Sequence, residues 1–346
     1  MISFASHKFW KNKKVLITGH TGFKGAWLSL ILHKLGAKIY GYSLKPKKNS
    51  LYNKLNIQSF IKKSYLKDIR NYSNLKNSLN ETNPDIIFHL AAQPLVLNSY
   101  QNPTDTFDTN IIGTINLLEA IRLKKKSKIK SAIIITTDKV YDTTKKKFFV
   151  ESDKLGSSDP YSTSKACCEL ICNSYIKSFP NIKKIIATAR AGNVLGGGDY
   201  SKHRLVPDIL KSFKNKQILK LRNPDHVRPW QHVFEPLNGY LLLSEKLYLG
   251  KLKKIEPYWN FGPNKSSCKS VKFVAKEFKK QLPIKLQILK KNKIKENSSL
   301  RLNNNKSKKL LNWDPKWSLK FTIFKTFWKI FKGFNNNFHH FTIPCT

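Results

Sequence analysis

Arginine is scarce in this chain of 346 residues: 7 stand against 57 lysines. Acids are scarce as well, and the formal net charge reaches +43. Two readings of that charge compete. One is a surface that binds polyanions. The other is compositional drift, because Asn and Ile are abundant beside Lys, as an AT-rich coding sequence would produce. A surface selected to grip phosphates draws on the bidentate guanidinium, so the shortage of Arg favours drift and argues against a nucleic-acid partner. The lysine-rich runs 124–130 and 145–147 then read as solvated loops and helix ends.

Cysteine is sparse too. The five are Cys167, Cys168, Cys172, Cys268 and Cys345. Their spacing offers no pair of pairs for zinc, no metal site is expected, and an odd count excludes a fully paired disulfide framework. A reducing compartment suits them. No apolar signal core precedes Trp10, and no run of roughly 18 apolar residues occurs anywhere. The expectation is a soluble cytoplasmic protein with no membrane partner. No repeat of fixed period is visible. Hydrophobic residues make up 40% of the chain, enough for a large core in one domain or two.

What is present begins with a short apolar strand, Lys14-Val15-Leu16-Ile17-Thr18. It runs into Gly19-His20-Thr21-Gly22-Phe23-Lys24-Gly25 and then a helix-like segment, Ala26 to Leu35. Strand, glycine turn and helix is the context in which a glycine fingerprint carries meaning. Glycines let the backbone approach a pyrophosphate, whose charge the helix N-terminus meets. Gly-rich turns also serve only as turns. A second strand, Ala37 to Ser43, lacks the acid that holds an adenosine ribose at NAD sites; Ser43, Leu44 and Lys45 stand there instead. By that rule alone NADP is allowed. Asp68-Ile69-Arg70 follows a third strand, and Asp68 reads equally as an adenine contact and as a turn residue. A strand at 85–90 ends in Ala91-Ala92, small enough for a cofactor to lie close. A helix from Thr104 to about Leu123 carries Thr109 and Asn110. Asn110 either braces the site from beneath or satisfies neighbouring backbone.

The stretch with most chemistry runs from Ile133 to Lys165. An apolar strand delivers Thr136-Thr137-Asp138-Lys139 at its carboxyl end, and Tyr161-Ser162-Thr163-Ser164-Lys165 follows. A Tyr and a Lys four apart share one helix face. A neighbouring ammonium favours phenolate over phenol, which makes Tyr161 a usable base below its ordinary pKa of roughly 10. Asp138 and Lys139 offer a second proton-transfer pair. The bland alternative is a packed Tyr and a solvated Lys. Another strand is expected at 184–189. Strands alternating with helices to about residue 190 predict an α/β fold with a doubly wound parallel Rossmann sheet. Beyond it, glycine-rich 190–199, Leu221-Arg222-Asn223-Pro224 and Arg228-Pro229-Trp230-Gln231-His232 suggest phosphate and base contacts. The competing reading has Trp230 in a core and the arginines on the surface. The expected division is 1–190 as the dinucleotide-binding domain, with about 233–262 returning to it. Residues 191–232 and 263–330 form a smaller, mostly C-terminal α/β substrate lobe, in which Trp313 and Trp317 pack, and 331–346 is a tail.

These residues resemble the extended short-chain dehydrogenase/reductase family, of the epimerase/dehydratase type. The likeness rests on 19–28, 89–96, 136–141, 159–162, 189–199 and 228–232, and it covers most of the chain from Phe9 to Trp317. Asp138-Lys139 discriminates within the family, for it resembles the branch of 4,6-dehydratases acting on CDP-glucose, whereas dTDP-glucose dehydratases carry Asp-Glu there. Leu97 departs from that branch, which usually has Arg. The resemblance implies NAD as cofactor, held by Gly19, Thr21, Gly22, Phe23, Gly25, Ser43, Asp68, Ile69, Leu90, Ala91, Ala92, Thr109, Tyr161 and Lys165. It implies CDP-glucose as substrate, contacted by Gln93, Asn193, Arg204, Arg222 and Arg228. Thr137, Asp138, Lys139, Tyr161 and Lys165 are the implied catalytic set. A homo-oligomer, dimer or tetramer, is also implied.

Overall fold

The computed structural model describes residues 4–143, 148–252, 255–289 and 300–331, with side chains as far as Thr326. The lysine run 145–147, Cys345 and the tail from 332 onward lie outside the described residues. Seven strands make the central sheet: β1 (Lys14–Thr18), β2 (Lys38–Ser43), β3 (Lys63–Leu66), β4 (Ile86–His89), β5 (Ser131–Ile135), β6 (Ile186–Ala191) and β7 (Tyr258–Phe261). All neighbours pair in parallel, in the order β7-β6-β5-β4-β1-β2-β3.

The strands read as unbroken apolar runs because both faces of the sheet are covered. Val15, Ile17, Ile86, Phe88, Ile133 and Ile135 point into one core, with Trp10, Trp27 and Leu241. Leu16, Ile87, Ala132 and Ile134 point into the other, with Leu117, Leu118, Cys172 and Ile176. The first core is covered by α1 (Phe23–Lys34) and the helix Phe234–Tyr248. The second is covered by α2 (Tyr72–Thr82), α3 (Gly113–Arg122) and α4 (Pro160–Ser178). The expected helix from Thr104 is interrupted by a π-turn at Asp108–Ile112, which places Asn110. The last strand before the change in texture starts at Ile186, two residues later than expected, because a helical turn at Pro180–Lys183 consumes the intervening chain.

The register aligns the carboxyl ends. Thr18 pairs with His89, His89 with Ile134, and Ile135 with Ala189. After β3 the chain crosses back over β1 to begin β4, so β1 and β4 flank the topological switch point where this fold class binds ligands. The loops after β1, β4 and β5 all open there. After β6 the chain leaves the sheet. A smaller lobe holds the pairs Leu219–Leu221 with Leu286–Ile288 and Val227–Pro229 with Cys268–Ser270. Its own core includes Val206, Ile209, Trp230 and Phe278. No helix among the described residues is long and apolar enough to cross a membrane.

Glu235 fastens the 313–317 segment to the helix Phe234–Tyr248. Its backbone carbonyl accepts the Trp313 indole at 2.9 Å, and its carboxylate accepts the amides of Lys316 and Trp317 at 2.9 and 2.8 Å. Trp317 packs on His232 and Phe234. Burial pushes the Glu235 carboxyl up to about 7 from 4.5. The folded chain therefore binds this proton more tightly than the unfolded one, and its contribution to stability falls as pH rises from about 4.5 through about 7. Glu235→Gln keeps an acceptor but cannot titrate. Urea midpoints at pH 5 and pH 7.5 should show wild type losing on the order of 2 kcal/mol more than the variant across that interval; equal losses would refute the assignment.

Candidate active site

The groove at the switch point exists because three glycines permit it. Gly19 ends β1 with φ +76°, and a Cβ there would lie 2.7 Å from the Ala91 amide nitrogen. A Cβ on Gly25 would lie 2.2 Å from the Gly19 carbonyl oxygen. Gly22 caps α1, so the free amides of the first helical turn face the groove. The Thr21 and Ser43 hydroxyls meet at 2.8 Å and tie the loop to the end of β2. Phe23, Asp68, Ile69, Leu90, Ala91, Ala92, Thr109, Tyr161 and Lys165 also line this groove. Its glycine floor and helix N-terminus suit the diphosphate of a dinucleotide. Asp68 serves as turn residue and groove wall together. It accepts the Arg70 amide at 2.9 Å and pairs with the guanidinium at 2.6 Å, which holds its carboxyl below the usual range. Asn110 braces from beneath. It accepts the Gln93 amide at 2.8 Å and donates to the Gln93 carbonyl at 3.2 Å and the Ser164 hydroxyl at 2.8 Å.

At the end of β5, Asp138–Val140 forms a 3-10 turn. The Thr137 hydroxyl accepts from the Lys139 amide at 3.4 Å and donates to Asp138 Oδ1 at 3.0 Å. Asp138 is 2% exposed, and its Oδ2 has no hydrogen-bond partner among the described residues. Burial raises its pKa, opposed by the charges of Lys139, Arg228 and Lys24 and by the Thr137 bond. A carboxyl in such a place favours the protonated form that an acid catalyst needs. α4 starts where it does because Asp159 caps it. Its Oδ1 accepts the Ser162 amide at 2.9 Å, its Oδ2 accepts the Ser162 hydroxyl at 2.6 Å, and Pro160 fills the first position. Tyr161 and Lys165 thereby project into the groove, and the phenol reaches a hydrogen bond with Thr137.

One expectation is corrected here. The Tyr161 phenol is not brought below its ordinary value by Lys165. Burial, with Asp138 and Asp159 adding, pushes it up to about 12, and the opposing influences are the Thr137 hydrogen bond and the Arg204 charge. The Lys165 amine is turned to the Ile135 carbonyl at 3.1 Å, and burial lowers its own pKa.

Beyond Tyr161 the groove opens into a second cavity. It is lined by Thr137, Asp138, Lys139, Asn193, Arg204, Arg222, Arg228 and Trp230, and also by Leu97. Tyr161, Thr136, Lys24 and Arg204 border both cavities. Arg228 is buried rather than on the surface, its guanidinium held by the Val227 carbonyl at 3.1 Å and against His226 Nδ1 at 3.2 Å. Arg204 pairs with Asp199 at 3.1 Å, and Arg222 donates to the His203 carbonyl at 3.3 Å. Trp230 fills the lobe core, donates to the Lys269 carbonyl at 2.8 Å and still forms part of the wall. Gln93, expected at the substrate, lies elsewhere: it lines the dinucleotide groove, and its amide is spent on Leu95 and the Thr106 hydroxyl. No cluster of three metal-ligating side chains occurs among the described residues.

Sequence reasoning missed the support beneath the site. Glu169 accepts from the hydroxyls of Thr136 and Thr188, at 2.5 and 2.7 Å, and from Arg190 at 2.8 Å. Arg190 also donates to the Tyr141 hydroxyl at 2.9 Å, and that hydroxyl donates to Asn260 at 2.7 Å. The available signal was Glu169 four residues past Lys165, on the same helix face. Lys24 and Asp199 were missed as well.

Comparison with known proteins identifies the family. The family model described as GDP-mannose 4,6 dehydratase matches residues 16–326. The chain is 42% identical over 325 residues to CDP-glucose 4,6-dehydratase of Salmonella typhimurium, covering 91% of this chain and 89% of that protein. Among solved structures, dTDP-glucose 4,6-dehydratase from Bacillus anthracis in complex with NAD superposes with a TM-score of 0.76 at 24% identity, covering 91% of this chain and 95% of that one. UDP-glucuronic acid 4-epimerase from Bacillus cereus, in complex with UDP-glucuronic acid and NAD, gives 0.77 at 22% identity, covering 91% and 98%. These structural likenesses show the fold.

Removing one partner of the Glu169–Arg190 pair leaves a buried charge unmatched, which costs about 3–5 kcal/mol. Glu169→Gln should lower the unfolding free energy in urea by that amount; a loss under about 1 kcal/mol would mean that Arg190 finds other compensation.

Proposed function

The chain belongs to the GDP-mannose 4,6-dehydratase family, and from that premise we propose that it converts CDP-glucose to CDP-4-dehydro-6-deoxyglucose with NAD as its bound cofactor. The observation that carries this reading is Asp138-Lys139 at the end of β5. A buried acid with an unpartnered oxygen and a lysine stand beside the Tyr161–Thr137 pair, in the cavity next to the dinucleotide groove. An epimerase, which needs only one acid–base group at C4, gives no reason for this second pair. The 42% identity to the Salmonella CDP-glucose enzyme supports the choice of nucleotide.

In this reading NAD, held in the groove, would supply the hydride acceptor for C4 and the hydride donor for C6. Tyr161 removes the C4 hydroxyl proton. Thr137 hydrogen-bonds the same oxygen, and Lys165 holds the nicotinamide ribose. Burial pushes the Tyr161 phenol up, and a positive charge on a bound ligand would favour its phenolate. With C4 a ketone, the C5 proton is acidic and Lys139 takes it. Asp138 gives its proton to the departing C6 hydroxyl, and a proton returns to C5 as C6 is reduced. Water is lost, and no net oxidation results. Asn193, Arg204, Arg222 and Arg228 hold the CDP part, the guanidinium forks suiting the diphosphate. Residues 191–232 and 263–330 are then the nucleotide-sugar lobe, and 1–190 with 233–262 the NAD domain. We place the enzyme in the cytoplasm as a dimer or tetramer supplying deoxysugars for surface polysaccharide.

Purified protein incubated with CDP-glucose and catalytic NAD should yield a product lighter by one water, with no net consumption of dinucleotide. Turnover of dTDP- or GDP-glucose in place of CDP-glucose would move the assignment to another nucleotide, and stoichiometric reduction of NAD would end it. Asp138→Asn should lower kcat by about 10²–10⁴. Unchanged turnover in Lys139→Ala would remove that lysine from the mechanism.

A further inference from the structure

Lys24 is the second residue of α1. A cation in the first turn opposes the helix dipole, and burying an amine costs free energy unless something answers its charge. The charges of Asp138 and Asp199 answer it in part, and those of Arg204 and Lys165 oppose it. Its position is nevertheless tightly set. The Trp27 indole donates to the Gly197 carbonyl at 3.1 Å. A Cβ on Gly196 would lie 3.2 Å from the Phe23 ring, and Gly25 lies against Gly19. These contacts hold α1 against the 196–199 loop on one side and against the glycine floor on the other.

Lys24 is one of the residues that line both cavities. The charges that act on it are those of Arg204, Asp138, Lys165 and Asp199. Asp138 lines the second cavity and Lys165 the dinucleotide groove, and Lys24 lines both. Burial lowers its pKa to about 8, which leaves it mostly charged at pH 7.

We propose that Lys24 poises the cofactor: its ammonium, fixed at the nicotinamide end of the groove, disfavours the cationic oxidised ring relative to the neutral reduced ring and so favours hydride removal from the substrate. This rests on the NAD part of the function above and is independent of which nucleotide sugar is used. Two like charges in a cleft shielded from water repel strongly enough to change a ratio of binding constants by about tenfold or more. The reduced ring carries no such charge and escapes the penalty.

Full-length protein stripped of nucleotide and titrated separately with NAD+ and NADH, following tryptophan fluorescence, reads this ratio without any sugar. Lys24→Met, which keeps the stem and removes the charge, should lower Kd(NAD+)/Kd(NADH) by about tenfold or more, and Lys24→Arg should hold it within about threefold. Lys24→Gln carries the same expectation as Lys24→Met should the latter not fold. An unchanged ratio in the neutral variants overturns the proposal. A parallel loss of both affinities also overturns it, because the amine would then grip the diphosphate instead. A failed CDP-glucose assay leaves the ratio readable and bears only on the choice of substrate.

Discussion

The buried pair between Glu169 and Arg190 is the contact on which the rest of the site depends. Glu169 belongs to α4, Arg190 to β6, and the Thr136 hydroxyl that Glu169 accepts stands at the exit of β5. One carboxylate therefore fixes the height of the helix that carries Tyr161 relative to the turn that carries Thr137 and Asp138. A buried ion pair of this kind is poor evidence for stability, since desolvation offsets much of the attraction. Its value is positional: α4 cannot slide along the sheet by a turn without stranding a carboxylate and a guanidinium together. The Tyr141 and Asn260 hydroxyl–amide chain extends the same registration to β7.

Electrostatics inside the site differ in kind from the charge of the surface. The net charge of +43 is spread over solvated lysines, whereas the interior places few charges and leaves some unanswered. Asp138 keeps an unpartnered oxygen, and Lys24 stands among the opposing charges of Arg204, Lys165, Asp138 and Asp199. Arg228 is held by a backbone carbonyl and a neighbouring histidine ring. Such groups are unfavourable in an empty fold, and sites that have to meet charged or reacting ligands accumulate them.

Much of the architecture was legible because its causes are local. A strand buried on both faces is apolar at every position, and a glycine turn running into a helix declares its purpose within seven residues. The capped start of α4 places Tyr161 and Lys165 from Asp159-Pro160 alone. What escaped was whatever depends on distant partners. The ammonium of Lys165 was expected to act on the phenol, but it is captured by the Ile135 carbonyl, a group supplied by a strand 30 residues earlier. Gln93 looked available for a ligand until the loop folded its amide back onto Leu95 and Thr106. Lys24 reads as one more lysine in a lysine-rich chain, and only the packing of α1 against the 196–199 loop gives it a singular address. The two-residue shift of β6 has the same character, for a proline-led turn spends chain that a propensity reading assigns to the strand.

The route of the chain through the sheet has a consequence for biosynthesis. β7 is an edge strand of the main sheet, yet it is made only after residues 192–257 have emerged. While the polypeptide is still on the ribosome, β6 must wait with one edge open and apolar, and the part of the smaller lobe already synthesised hangs from it as a loop. Closure of that edge and assembly of the lobe are therefore one late event, since Val274, Phe278 and Ile284 of the lobe core are made only afterward. No stop between residues 191 and 257 leaves a finished unit, so a nonsense mutation anywhere in that interval exposes a bare sheet edge to other chains. The nascent protein is most vulnerable to misassociation in that window, between the emergence of β6 and that of β7.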